Sequence, residues 1–348
     1  MRKFQRIAGY AFALSMLMVA PGSGRAGSLL TDYNAVVFGN LTANTGDTVG
    51  RLLVAGNATI GDAVNGGSYS VGLTQPGGGA QLPQNDPSRD DLIVGGNLTS
   101  YIKYNGFVVN SNVVHGGTLT AASPIGHTTP GAANLQISPI TIDVSTGNVD
   151  RLGNGISLNS LKGQYDALAN SIAGLAANGS TTVSFSSVTL NNGSGNLQVF
   201  DLNGGDFTSK SDLYIDAPSG ATVVVNISGA SIDKMYGAIH LSGGIDQTHI
   251  LFNFTDATSL KLTGFAMTGS VLAMDALNST FSGGSINGIG VFGGNVTSTQ
   301  NGFEFHNFPF AGTIQTIPEP TSLSLIALAG IGYIARFLKR HRIGLTRV

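Results

Sequence analysis

The chain has 348 residues, 50 of them Gly, with no Cys and no Trp; 10% are charged and 42% apolar. Absence of Cys excludes disulfides, thiolate zinc sites and cysteine nucleophiles, and apolar residues alternating with Thr, Ser and Asn argue for a folded chain. The formal charge of −2 hides an asymmetry: Gly27 to Ile317 carries eight Lys or Arg against 18 acids, about −10, a sign that disfavours nucleic acid and anionic membrane surfaces as partners.

Arg2, Lys3 and Arg6 lead into apolar Ile7 to Ala20, followed by small residues at Gly24 and Ala26. That order marks residues 1–26 as a secretory signal with cleavage near Ala26, since the apolar run is too short for a comfortable membrane span. The Sec machinery and signal peptidase are the expected partners of this segment. Residues 27–316 then form the ectodomain.

A phrase recurs in it: Val37-Phe38-Gly39-Asn40-Leu41-Thr42, Val54-Ala55-Gly56-Asn57-Ala58-Thr59, Val94-Gly95-Gly96-Asn97-Leu98-Thr99 and Phe292-Gly293-Gly294-Asn295-Val296-Thr297. Each reads as a strand end, a Gly-Asn corner and a new strand, with Gly expected to supply positive φ. Such units predict a mainly β fold, an irregular parallel β-helix or β-solenoid, with Asn side chains stacked along the corner. An antiparallel sandwich can use similar corners. Irregular spacing of the phrase implies interrupting loops, the clearest from Thr74 to Asp91 with its Asp86, Arg89, Asp90 and Asp91 cluster, and another from Ala122 to Asn134.

Leu161, Tyr165, Leu168, Ile172 and Leu175 lie on one helical stripe. They predict one flanking amphipathic helix over about 160–177, capped by Asn159 or Ser160 and ended by Asn178-Gly179. Short strands follow at Thr182 to Phe185, Leu197 to Phe200, Ala221 to Ile227, Ile250 to Phe254 and Ser259 to Leu262.

Asp201, Asn203 and Asp206 surround glycines and form a candidate Ca2+ loop, with Asp212 and Asp216 downstream. Asx-turn chemistry explains the same residues without a metal, and no other cofactor is suggested. His115, His127, His240, His249 and His306 are dispersed, and neither a serine elbow nor a nucleotide fingerprint occurs. A non-enzyme is therefore expected. Asp143, Asp150, Asp201, Asp206, Asp212 and Asp216 keep a carbohydrate-cleaving enzyme as the alternative.

At the C-terminus, Pro318-Glu319-Pro320 precedes apolar Thr321 to Tyr333, then Arg336, Lys339, Arg340 and Arg342. Physically this is a short membrane helix whose basic end stays cytoplasmic. The arrangement, residues 317–342 with a short tail at 343–348, resembles the PEP-CTERM sorting signal of Gram-negative bacteria. The resemblance implies transient anchoring in the inner membrane, recognition by an exosortase-type peptidase and delivery to the cell surface or extracellular matrix. Pro318, Glu319 and Pro320 are then a tag read by another enzyme. The six residues Ile343 to Val348 depart from the family, which usually stops at the basic cluster.

The ectodomain resembles the choice-of-anchor A domains through Tyr33 to Leu41, Asp91 to Leu98, Ile250 to Phe254, Gly269 to Ala273 and Glu304 to Phe310. The likeness implies an adhesive β-helix module with no catalytic residues to carry over. Where that family has an acid and a His, this chain has Glu304 and His306; strand alternation puts both on one face as a structural or ligand-binding pair.

The resulting expectation is an exported, adhesin-like structural protein that meets extracellular polysaccharide or surface glycans. Ice binding is a further alternative, for which regular Thr-x-Thr rows are needed. Thr181-Thr182 and Thr297-Ser298-Thr299 are too few to support it by themselves.

Overall fold

The computed structural model describes residues 29–314, apart from 74–76, 85, 87, 104–106, 124, 126–136, 140–141, 144–147 and 150–156. The expected signal segment with its expected cleavage near Ala26, the expected tag Pro318-Glu319-Pro320, the basic residues Arg336, Lys339, Arg340 and Arg342, and Asp150 lie outside the described residues. No helix among the described residues is long and apolar enough to cross a membrane.

The chain winds as a β-solenoid of short strands. A ten-stranded parallel sheet forms its first face, in the order Ile137–Pro139, Asn112–His115, Asp90–Val94, Leu52–Val54, Ala35–Val37, Gly290–Phe292, Ser270–Ala273, Ile250–Phe254, Thr222–Ser228 and Leu197–Asn203. This order is not the chain order. The chain starts in the middle, coils outward to one end, and crosses to the far end. It then coils back until its last turn pairs with its first, Val36 beside Val291.

The crossing segment is a helix, α1 (Leu158–Ala173). At 1.5 Å per residue it is about 24 Å long, which matches about five strand spacings of 4.8 Å. Val36, Leu53, Ile93, Val114, Val199, Val224, Leu251, Leu272 and Val291 point outward from the first face. They bury against Leu158, Leu161, Tyr165, Leu168 and Ile172 of α1. Buried on both sides, Ala35–Val37 and Leu52–Val54 are apolar throughout instead of alternating. Tyr165 donates its hydroxyl to the Leu29 carbonyl at 2.5 Å, and Asn253 and Asn226 donate to the Ala169 and Ile172 carbonyls at 3.0 and 3.1 Å.

The helix bounds differ from the sequence expectation. Ser157, not Asn159 or Ser160, is the N-cap, accepting from the Ser160 amide at 2.9 Å. Gly174, not Asn178-Gly179, ends the helix, and Asn178 is engaged elsewhere. Its side chain accepts from the Val199 amide at 2.8 Å and donates to the Leu197 carbonyl at 2.9 Å, covering the last strand edge of the first face. A second helix, α2 (Gly204–Ser209), stands where a strand or loop was expected, so the solenoid has more than one helix. Its Phe207 ring meets Phe254 and Phe265 edge-on at 6.0 and 5.9 Å. The mixed-charge loop also ends earlier than Asp91, since Asp90 already pairs in its strand.

One core position holds a cation. Lys234 is 2% exposed and lies in register with buried Leu262; it donates to the Lys210 carbonyl, with Nζ 4.9 Å from the Phe265 ring centre. Burial pushes the Lys234 pKa below 10.5, against a smaller upward pull from Asp212. The folded chain therefore binds fewer protons than the unfolded chain between the lowered value and 10.5, so stability rises with pH across that window. Lys234→Met is expected to abolish that rise, measured as urea midpoints at neutral pH and near 10.5.

Candidate functional site

Every recurrent corner lies on one edge of the solenoid, and the Asn residues form a ladder. Asn295 Oδ1 accepts from the Asn40 amide at 2.9 Å, Asn40 Oδ1 from Asn57 at 2.8 Å, Asn57 Oδ1 from Asn97 at 2.8 Å and Asn97 Oδ1 from Thr118 at 2.8 Å. Asn295 Nδ2 extends it to Asn278 Oδ1 at 3.3 Å. Glycine is required here for proximity, contrary to the expectation of positive φ. A Cβ on Gly96 would lie 2.4 Å from Asn57 Oδ1, and none of the phrase glycines has positive φ.

The ladder fixes the register of the second face, formed by strands Leu119–Ala121, Leu98–Ser100, Ala58–Ile60, Leu41–Ala43, Asn295–Gln300 and Asn278–Asn287. In it Leu41, Ala58, Leu98 and Val296 point into the core. The next residue of each strand points outward, and these residues align as Thr280, Thr297, Thr42, Thr59, Thr99 and Thr120. Six threonines thus stand one per rung over about 24 Å. Beyond Thr280 the row ends in Lys261 and Asp233, an exposed ion pair at 3.1 Å. The row itself carries no charge. Sequence reading missed it because the search was for Thr-x-Thr within one strand. The signal was Asn-x-Thr once per coil, in the phrase already noted and again at Asn278-Ser279-Thr280.

Glu304 and His306 share strand Phe303–His306, which pairs with Asn278–Asn287 and Thr45–Thr48, and Phe305 between them is buried. His306 Nε2 lies 3.0 Å from Glu304 Oε2, and Nδ1 lies 2.7 Å from Asn287 Oδ1. Glu304 is in register with Asp47 of the first coil, so the pair sits where the last turn closes on the first.

The candidate Ca2+ residues are used locally. Asn203 caps α2, its Oδ1 accepting from the Gly205 amide at 2.8 Å; Asp206 lies in the helix's first turn, and Asp201 in the preceding strand is exposed. Asp212 pairs with His240 at 2.9 Å and Asp216 accepts from Ser242 at 2.8 Å. His115 lies 2.9 Å from the Gly117 carbonyl and His249 pairs with Asp246 at 3.1 Å, whereas His127 is outside the described residues. Hydrogen bonds from Thr248 and His249 hold the Asp246 carboxyl below the usual range, against the upward pull of burial. Among the described residues no three His, Asp or Glu gather as a metal site.

A family model described as "Putative Ice-binding-like adhesive domain" matches residues 26–307. A search of the curated proteins finds no match. Among solved structures the chain is similar to an ice-binding protein from an Antarctic biological consortium, at 13% identity and a TM-score of 0.34, over 80% of this chain and 88% of that one. It is also similar to an ice-binding protein from Arctic yeast, at 14% identity and a TM-score of 0.36, over 84% and 97%. For the Shewanella frigidimarina ice-binding protein_1 DUF3494 domain the values are 14% and 0.31, over 78% and 94%.

Proposed function

The chain belongs to the ice-binding-like adhesive family, and from that premise we propose that it is an exported surface adhesin whose threonine row holds an ordered solid, ice in the first instance. The observation that carries this reading is the alignment of Thr280, Thr297, Thr42, Thr59, Thr99 and Thr120 on consecutive rungs. Backbone hydrogen bonds set the spacing, and β-branching narrows the choice of rotamer. Hydroxyl and methyl groups therefore repeat in a fixed array, and little ordering entropy is lost on contact. An ordered lattice can meet such an array at several rungs at once, whereas liquid water or a flexible glycan must first be ordered. Absence of charge from the row suits a surface held by many weak contacts.

The test is partition of the secreted chain into slowly growing ice, beside an inert protein of similar size. Enrichment in the ice is expected; exclusion with the inert protein rejects ice as the ligand.

Delivery rests on the two ends. The secretory signal exports the chain, and the Pro318-Glu319-Pro320 tail, resembling a PEP-CTERM signal, hands it to an exosortase-type peptidase for surface display. The choice-of-anchor A likeness fits a module carried on such a tail. Intact-mass measurement of the extracellular form is expected to show a C-terminus well before Val348. A tail still ending at Val348 rejects the sorting step.

A further inference from the structure

We infer that two copies of this chain pair edge to edge through strand Ser180–Val183. This strand runs antiparallel to Ser187–Asn191 and ends a four-stranded sheet, with all four residues exposed. The turn that follows is exposed as well: Phe185 is 99% and Val183 44% accessible.

Hydrogen-bond parity defines what the open edge offers. The Ser184 amide donates to the Ser187 carbonyl at 2.8 Å. In an antiparallel ladder bonded and non-bonded positions alternate, so Ser180, Thr182 and Ser184 spend their backbone groups on the neighbouring strand. Thr181 and Val183 turn theirs outward. An extended segment of the same sequence, related by a two-fold axis at Thr182, places Thr181 opposite Val183 of the partner subunit. Each such pair exchanges two N–H···O=C bonds. Thr182 then faces its own symmetry mate with Cα atoms about 4.5 Å apart, and Phe185 comes opposite Gly179 and diagonal to exposed Ala177.

Edge strands are normally blunted by charge, Pro, bulges or cover. The first-face edge in this molecule is blunted, by Asn178. Ser180–Val183 contains no charge, Pro or bulge; Lys210 holds the turn beside it, donating to the Phe185 carbonyl at 3.4 Å. Charge selects the second copy as the occupant. The ectodomain carries about −10, whereas Ala167 to Phe200 contains no charged residue, and two charged residues that touch this segment, Asp201 (its carbonyl accepting from Thr181 Oγ1 at 2.9 Å) and Lys210, are opposite in sign. Two copies can therefore approach at this end without like-charge repulsion.

Sedimentation velocity of the secreted chain over a concentration series tests the pairing. A concentration-dependent dimer is expected, with Phe185→Asp monomeric at an unchanged melting temperature. Because the chain has no Cys, Thr182→Cys is expected to give a disulfide-linked dimer on oxidation, while Thr120→Cys, exposed on another face, does not. A monomer at every concentration, a dimer indifferent to Phe185→Asp, or equal cross-linking of the two Cys variants overturns the inference. Ice partition is read separately, so failure of that assay leaves this test intact.

Discussion

Arg89→Ala is expected to cost about 3–5 kcal/mol of folding stability, among the largest effects of any single change in the first half of the chain. Asp91 is fully buried. Its carboxylate is held by a two-point clamp, Arg89 Nε to Oδ1 at 2.5 Å and Nη2 to Oδ2 at 3.1 Å. The same Nη2 shares its two protons with the Pro83 carbonyl at 2.7 Å and Ser111 Oγ at 3.0 Å as well, so one guanidinium ties the loop to two coils. Truncation leaves a buried charge without its counter-ion, which is why the loss exceeds the worth of a surface pair. Arg89→Lys keeps the charge but not the fork and should fall between. Arg89→Leu with Asp91→Leu should recover most of the loss, because it removes the charge that was stranded. Urea midpoints read all three; an Arg89→Ala midpoint equal to wild type contradicts the clamp.

Phe281→Ala is the second large effect, about 3–5 kcal/mol. Phe281 is 1% exposed and its ring stacks on Phe303 at 4.4 Å, with Phe292 at 5.3 Å and Phe305 at 6.3 Å. These rings fill the last coil, and that coil pairs with the first through Val291 beside Val36 and Glu304 beside Asp47. A cavity there loosens the closure of two chain segments far apart in sequence. Faster amide exchange over Ala35–Val37 and Thr45–Thr48 is expected in the variant, with exchange in α1 little changed. Uniform acceleration throughout would argue against a local junction.

The sequence made much of this legible where one residue type has one physical use. Strand Ile250–Phe254 keeps its expected bounds, and Leu161, Tyr165, Leu168 and Ile172 bury the expected stripe. Asn40, Asn57, Asn97 and Asn295 stack as a ladder, as their shared phrase suggested. The order of the coils was not legible. Asn295 and Asn40 are neighbours in space across 255 residues, and no local pattern encodes which coil adjoins which. Asp201 to Asp206 read as a loop because two glycines interrupt it, whereas burial of Phe207 makes a short helix worthwhile there. No local pattern marks Lys234 as an inward residue; its register with Leu262 and its place over the Phe265 ring do. The threonine row needed the register as well: each Thr is unremarkable in its own strand, and the array exists only once the coils are stacked.

The most direct test of the adhesive face is ice partition of Thr59→Lys, placed mid-row, against Thr189→Lys on the outer side of the four-stranded sheet. Both positions are half-buried strand threonines, so differences in folding are controlled by matched melting temperatures. Loss of partition in Thr59→Lys with wild-type behaviour in Thr189→Lys is the expected result. Equal partition of both variants and the wild type would contradict the assignment of the row as the binding surface.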